Sequence, residues 1–382
     1  MQVYRRGDSG PAIAEIRDKL ARLGLLDSDA GSDSYDEPLD RAVRTFQQRR
    51  GLRVDGVVGS ETYRALDEAR WRLGDRTLSH TINHPYVGDD VVALQQRLLD
   101  LGFDPGRSDG IFGISTEAAL RDFQRNVGLA ADGILGPTTL AALGRLRRTV
   151  TGGSPSAQRE EEQLRRGSGS LSGRVVVLDP GHGGDDLGAC GHELAEAEVA
   201  LDLATRIEGR LGALGVDTFL TRGEGTCPTD EERARFANET EADLLLSLHT
   251  DAALSAGPRG VASYYYGTGS EAGAAPAEGE RVVRSAVGER LAQLVQNEIV
   301  ARTDLLDCRI HPKTWQLLRM TRMPAVRIDV GYVTNARDAV RLGTAEFRDA
   351  VAEAVVAAVQ RLYLPPDRDI ATGQFRMPAL AR

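Results

Sequence analysis

Val175-Val176-Val177-Leu178-Asp179-Pro180-Gly181-His182-Gly183-Gly184 is the stretch on which the reading of the chain turns. Four apolar residues in a row, Val175–Leu178, suit a buried strand. The run stops at Asp-Pro-Gly, and the glycines around His182 let the backbone turn sharply enough to present an imidazole to a cleft. Downstream a helical pattern opens at Glu196, with Ala200, Leu203, Ile207, Leu211 and Leu214 on one face. Val216–Leu220, Leu244–Leu248, Val261–Tyr266 and Pro324–Val330 read as further strands, Val261–Tyr266 with one wetter face. Ser285–Arg302 and Ala345–Leu362 read as amphipathic helices. This alternation predicts an α/β domain over 174–365 with a mostly parallel or mixed central sheet.

In open α/β sheets, sites gather beyond the carboxyl ends of the strands. His182 comes just after the first strand, His249 just after a central one, and Glu196 opens the first helix. Two imidazoles and one carboxylate make the three-ligand set of a catalytic zinc site, with the fourth position left for water. Singly, each has a plainer reading. A histidine beside a strand end is more often structural, and Glu196 is also an ordinary acid at a helix N-terminus. Cys190, between two of the three, reads as a small buried side chain ahead of a substitute ligand. His192 reads as a turn residue, and His80, His84 and His311 fall in polar connecting segments without a pattern.

Towards the N-terminus, Gly10–Leu66 aligns with Gly88–Leu143. Ile13, Ile16, Leu20 and Leu23-Gly24 match Val91, Leu94, Leu98 and Leu101-Gly102. Phe46-Gln47, Gly51-Leu52 and Asp55-Gly56 match Phe123-Gln124, Gly128-Leu129 and Asp132-Gly133, and Thr62 and Leu66 match Thr139 and Leu143. Apolar spacings of three and four with glycine stops give each copy three helices, the Asp-Gly steps being turns. Residues 1–75 and 76–145 are therefore read as two small all-α repeats in a multidomain chain. The stretch 146–173 is a Gly/Ser-rich linker with a charged middle, where Ala157–Arg166 has the composition of a short helix. The polar tail, 366–382, is expected to be mobile, with Thr372 accessible in it.

These motifs carry two resemblances. The repeats resemble the peptidoglycan-binding-1 family; the second copy follows its pattern nearly throughout, including Leu94-Gln95, Asp109-Gly110-Ile111-Phe112-Gly113 and Thr116. The first copy departs at Ser28–Pro38, so the second is the better candidate binder. Residues from about 174 to 365 resemble the amidase-3 family of N-acetylmuramoyl-L-alanine amidases. Asp-Pro-Gly-His-Gly-Gly at 179–184, Glu196 with Ala197–Leu201, and Ser247-Leu248-His249 fall on its motifs, as do Leu220-Thr221-Arg222, Glu232-Arg233-Ala234 and Ala237-Asn238. The resemblance implies Zn2+ as cofactor, with His182, Glu196 and His249 as ligands. It also implies that Asp329, in Ile328-Asp329-Val330-Gly331-Tyr332-Val333-Thr334-Asn335, stands where the family has its catalytic glutamate. That carboxylate reaches one methylene less far, and strand alternation puts Arg327 on its face, where a guanidinium would favour the ionised form. Asp251 replaces the family's usual asparagine, adding negative charge near the metal.

The composition is that of a globular protein, 41% apolar and 27% charged, with a net charge of −9 and no basic block. That argues against a nucleic-acid partner. No apolar run approaches the roughly 18 residues of a membrane span. No apolar signal core follows Met1–Gly7, which points to the cytoplasm; a mis-assigned start or non-standard export would point to the cell wall instead. Cys190, Cys227 and Cys308 are scattered and odd in number, which fits reduced thiols. The leading expectation is a zinc-dependent hydrolase acting on peptidoglycan fragments or precursors, with Asp329 as general base. The second is a cytoplasmic precursor sensor on an amidase scaffold, working through a regulatory protein partner. The order of domains resembles actinobacterial amidase homologues without export signals, and the resemblance implies that some of these regulate precursor synthesis.

Overall fold

The computed structural model describes residues 3–27, 32–146, 160–162, 164, 171–253, 255–268 and 284–364. Most of the proposed linker, and the tail with Thr372, lie outside the described residues; within the linker Glu160–Glu162 and Leu164 are helical. The chain forms two compact units, one from residues 1–159 and 268–270, the other from 160–267 and 271–382.

The first unit holds the two helical repeats. In one, α1 (Pro11–Arg22), α2 (Glu37–Arg49) and α3 (Ser60–Ala69) close over Ile13, Ile16, Leu20, Leu39, Val43, Phe46 and Leu66. In the other, α4 (Asp89–Asp100), α5 (Ile114–Asn126) and α6 (Pro137–Arg145) close over Val91, Leu94, Leu98, Leu120, Phe123 and Leu143. The repeated polar letters have a physical cause. The buried Gln124 amide donates to Asp132 Oδ1 (2.7 Å), the Ile134 carbonyl (3.1 Å) and Thr139 Oγ1 (3.1 Å), and its oxygen accepts from Gly133 N (2.9 Å). Gln47 makes the same node with Asp55, Val57, Thr62 and Gly56, and Gln95 makes it with Asp109, Ile111, Thr116 and Gly110. Each node satisfies a buried amide and ties a turn to a helix start. The first repeat carries Arg17 where the second has Gln95. Its guanidinium instead reaches the Ser34 carbonyl (3.1 Å) and Asp36 Oδ1 (2.8 Å), so this repeat has no glutamine node at that position.

The second unit is built on a six-stranded mixed sheet in the order β4-β1-β5-β8-β6-β7. These strands are β1 (Val175–Pro180), β4 (Asp217–Leu220), β5 (Leu244–Asp251), β6 (Val261–Tyr266), β7 (Asp307–Lys313) and β8 (Ala325–Tyr332). All neighbours run parallel except the antiparallel pair β6–β8. A small hairpin, β2 (Cys190–Gly191) and β3 (Leu194–Ala195), stands apart. Three long helices cover one face: α7 (Glu196–Gly212), α9 (Ala286–Arg302) and α12 (Ala345–Tyr363). Their Leu203, Ile207, Leu291, Val295, Val355 and Val359 share a core with Leu246, Val326 and Ile328. The opposite face carries α8 (Asp230–Glu239) and α10 (Gln316–Met320), packed on Val177, Leu245, Tyr266 and Ala325. A short α11 (Ala336–Leu342) follows β8. Among the described residues, no helix is long and apolar enough to cross a membrane.

Four expectations need correction. β7 reads as a connector because Asp-Cys-Arg-Ile-His-Pro-Lys is polar; it is an edge strand, where proline is tolerated, and so His311 lies in a strand. Val261–Tyr266 has no wet face, since only Tyr264 is even half-buried. Leu214 lies beyond the end of α7 and is 37% exposed. Cys190 is exposed, because it sits in the projecting hairpin.

Candidate metal centre

The site is assembled where three parallel strands end. His182 follows β1, His249 lies near the end of β5, and Glu196 is the first residue of α7. The hairpin ahead of α7 fixes Glu196: His192 and Glu193 form its two-residue turn with φ of 49° and 62°, the geometry of a hairpin turn. His192 is thus a turn residue. Ala195 then pairs with Cys190, delivering the glutamate to His249 and Thr250 near the carboxyl end of β5.

His182, Glu196 and His249 each offer a ligand atom, all within 4.8 Å of one another. His249 Nδ1 lies 2.7 Å from Glu196 Oε1, and His182 Nε2 lies 3.3 Å from Glu196 Oε2. Ligands of tetrahedral zinc at 2.0–2.1 Å from the metal stand about 3.3 Å apart, so the spacing and the N/O donor set fit that ion. Asp186 Oδ2 takes the other nitrogen of His182, Nδ1, at 2.7 Å, the carboxylate–histidine arrangement that orients a ligating imidazole. Glu196 is held by backbone donors as well, from Ala189 N (2.8 Å) and Thr250 N (3.1 Å).

Close packing leaves these rings little freedom. His182 itself has φ 57°, a left-handed strain concentrated at the site. Two buried arginines hold its loop. Arg222 donates to the carbonyls of Pro180, Gly181 and Ala197, and Arg233 donates to those of Pro180 and His182. Arg233 also pairs with the buried Asp179 at 2.6 Å. A side chain at Gly181 would meet the His249 ring at 2.2 Å, so only glycine permits the approach.

The electrostatics match the geometry. Burial alone would raise the Glu196 carboxyl, but hydrogen bonds to His182 and His249 outweigh it and hold the group well below its usual range. The bond to Glu196, aided by Asp186 and opposed by burial, raises His182. Burial, together with the nearby Arg327 charge, lowers His249. A neutral, buried imidazole is what metal ligation requires.

Asp329 is the register partner of His249 on the neighbouring strand β8, so the two side chains share a face. Arg327 is on that face too and pairs with Asp329, Nε to Oδ1 at 2.7 Å and Nη2 to Oδ2 at 3.4 Å. The alternation predicts this pair correctly, but its consequence differs. Burial pushes the Asp329 carboxyl above the usual range, and Arg327 and His249 offset only part of that. Asp251 is half-buried, accepts from Ala252 N at 2.7 Å, and adds to the rise. His80 lies 3.4 Å from Glu117 in the first unit, and the His84 carbonyl accepts from Thr81. Asp186, Gly181 and the two clamping arginines were not singled out from sequence as site residues. Their roles depend on contacts across the loop that spacing does not reveal.

Residues 176–361 match the N-acetylmuramoyl-L-alanine amidase family, and residues 9–66 and 87–143 each match a peptidoglycan binding domain. The N-acetylmuramoyl-L-alanine amidase CwlM of Mycobacterium tuberculosis is 47% identical over 389 residues, covering 98% of this chain and 93% of that protein. The chain belongs to the N-acetylmuramoyl-L-alanine amidase family. The amidase LytC of Bacillus subtilis is 32% identical over 183 residues, 48% of this chain and 34% of its own length. The solved catalytic domain of CwlV from Bacillus (Paenibacillus) polymyxa var. colistinus is 26% identical, covers 49% of this chain and 96% of that one, and gives a TM-score of 0.43. The second unit is thus a hydrolase-family domain, preceded in the chain by two peptidoglycan-binding domains.

Proposed function

We propose that the protein is a zinc-dependent N-acetylmuramoyl-L-alanine amidase, hydrolysing the amide between N-acetylmuramic acid and the L-alanine of a peptidoglycan stem peptide. The convergence of His182, Glu196 and His249 carries this reading. They would hold the ion, with Asp186 fixing the orientation of His182. Zn2+ bound there supplies Lewis-acid polarisation of the scissile carbonyl and lowers the pKa of water towards neutrality. Asp329, on the same face as His249, takes the proton of the attacking water and returns it to the leaving amine. Its raised pKa suits it to donate as well as to accept. The repeats in the first unit, the second above all, would bind the glycan-peptide.

One observation favours the second reading, a precursor-sensing scaffold of low activity with a regulatory protein partner. Arg327 already engages the carboxylate that the reaction needs free.

Metal content and unfolding of His249→Ala separate a catalytic from a structural ion. A catalytic role predicts lost zinc and lost turnover with a modest stability change. Loss of zinc accompanied by global unfolding would assign the metal to structure.

A further inference from the structure

Arg327 uses only one edge of its guanidinium on Asp329. The pair is side-on, through Nε and Nη2, and among the described residues Nη1 has no protein partner. The side chain keeps 28% of its surface exposed, whereas that of Asp329 keeps 6%. The guanidinium therefore keeps part of its surface open on the sheet face that it shares with Asp329 and His249. One face of the guanidinium is covered by the Trp315 ring, 4.7 Å from its central carbon. Trp315 packs on Tyr264 at 4.7 Å between ring centroids, and Tyr264 is the register partner of Arg327 on β6. Lys313, on edge strand β7, places its ammonium 5.7 Å from the same Trp315 ring. A planar cation is thus fixed by a salt bridge on one edge and an aromatic face on another, with its end-on fork presented outward. That is the geometry for two parallel hydrogen bonds to a carboxylate.

From these contacts we propose that the open edge of Arg327, walled by Trp315 and Tyr264, is a binding subsite for a carboxylate of the leaving peptide. The proposal rests on the amidase reading and specifies which substrates it accepts. Arg327 lies two residues before Asp329 on β8, about 6.6 Å along the strand. Two residues of extended peptide span up to about 7 Å. A peptide whose scissile amide lies at the metal cluster and whose leaving portion runs back along β8 would bring the residue after the alanine to Arg327. A carboxylate there is bound in preference to a carboxamide, which offers one acceptor and an NH2 that the guanidinium repels. The subsite uses the guanidinium edge that Asp329 does not, so substrate binding and the Arg327–Asp329 pair do not compete.

The test is calorimetric binding to the full-length protein, using N-lactoyl-Ala-Glu-amide and N-lactoyl-Ala-Gln-amide, each with both stereoisomers of the second residue. The native chain is expected to prefer the carboxylate ligand by about tenfold to a hundredfold, the range for a hydrogen bond to a charged group. Arg327→Gln should abolish the preference, and Arg327→Lys should retain part of it. Because glutamine at 327 leaves the Asp329 carboxylate buried and unpaired, R327Q/D329N is measured beside it and should also show no preference. Equal binding of the two ligands, no binding of either, or a preference surviving in both glutamine variants would overturn the subsite. Displacement of the carboxylate ligand by an equimolar N-acetylglucosamine 1-phosphate would reassign the edge to a sugar phosphate and equally overturn it. Failure of the amidase reading has a different signature: discrimination in binding is retained, but no stem peptide is released.

Discussion

Replacing Gly181 by alanine perturbs the proposed metal centre without changing any of the three proposed ligands. The new Cβ would stand 2.2 Å from His249 Cε1, 2.4 Å from Nδ1 and 2.6 Å from Nε2. Carbon atoms rest at about 3.5 Å, so the ring must retreat by roughly 1.3 Å or the loop must move. The loop is not free to do so, since Arg222 and Arg233 hold the carbonyls on either side. Overpacking of this kind costs about 1–3 kcal/mol. The larger effect is functional, because a displacement on the order of 1 Å costs roughly a hundredfold in rate. Gly209→Ala, in α7, is the control: nothing lies within 4 Å of its added methyl, and helical alanine gains about 0.5–1 kcal/mol over glycine. Zinc affinity by competition with a chelating dye, denaturant unfolding and peptide release are measured on both variants. The reasoning is refuted if G181A keeps zinc affinity and turnover within twofold of the native chain.

Other perturbations probe separate parts of the account. Asp179 is held below its ordinary range although burial alone would raise it; the Arg233 charge and the Ser247 and Thr221 hydroxyls outweigh burial. Its contribution is therefore complete above the unfolded pKa of about 3.9 and lost as pH falls through the lower folded value. Asp179→Asn should flatten that acid limb in unfolding curves, and an unchanged limb would contradict the assignment. Gln124→Ala leaves the partners Asp132, Gly133 N and Thr139 around a buried hole, each unsatisfied group costing about 1–3 kcal/mol. The second repeat should then unfold at markedly lower denaturant with the hydrolase unit unaffected, as read by hydrogen exchange. Asp329→Glu extends the proposed general base by the one methylene that the family resemblance implies is missing, and should raise kcat about tenfold or more. A fall in kcat would show that the Arg327 pair, and not reach, sets the rate.

Much of this was legible in the chain because the physical signals are local. The apolar runs Val175–Leu178 and Leu244–Leu248 mark interior strands, and the glycines around His182 mark the turn beyond the first of them. The repeat is legible because the Gln–Asp–Gly–Thr node needs the same four chemical groups each time it is built. What escaped depends on distance in space. Strand β7 carries edge polarity and a proline, so its alternation is weak. The exposure of Cys190 follows from a hairpin too short to show a pattern. Helix α8 is mostly charged, and its start is written in the Thr229–Glu232 capping box more than in apolar periodicity. Arg327 was placed on the right face by alternation, yet the rise in the Asp329 pKa came from burial, which alternation does not measure.

The central claim is that His182, Glu196 and His249 hold a zinc ion that cleaves the bond between N-acetylmuramic acid and L-alanine. Release of free stem peptide from soluble muropeptide by the purified full-length protein tests it most directly, with zinc supplied and again with the metal chelated. The account predicts peptide release with zinc that is abolished by the chelator and restored by adding the metal back. A muropeptide that stays bound but uncleaved by the zinc-loaded protein would contradict it.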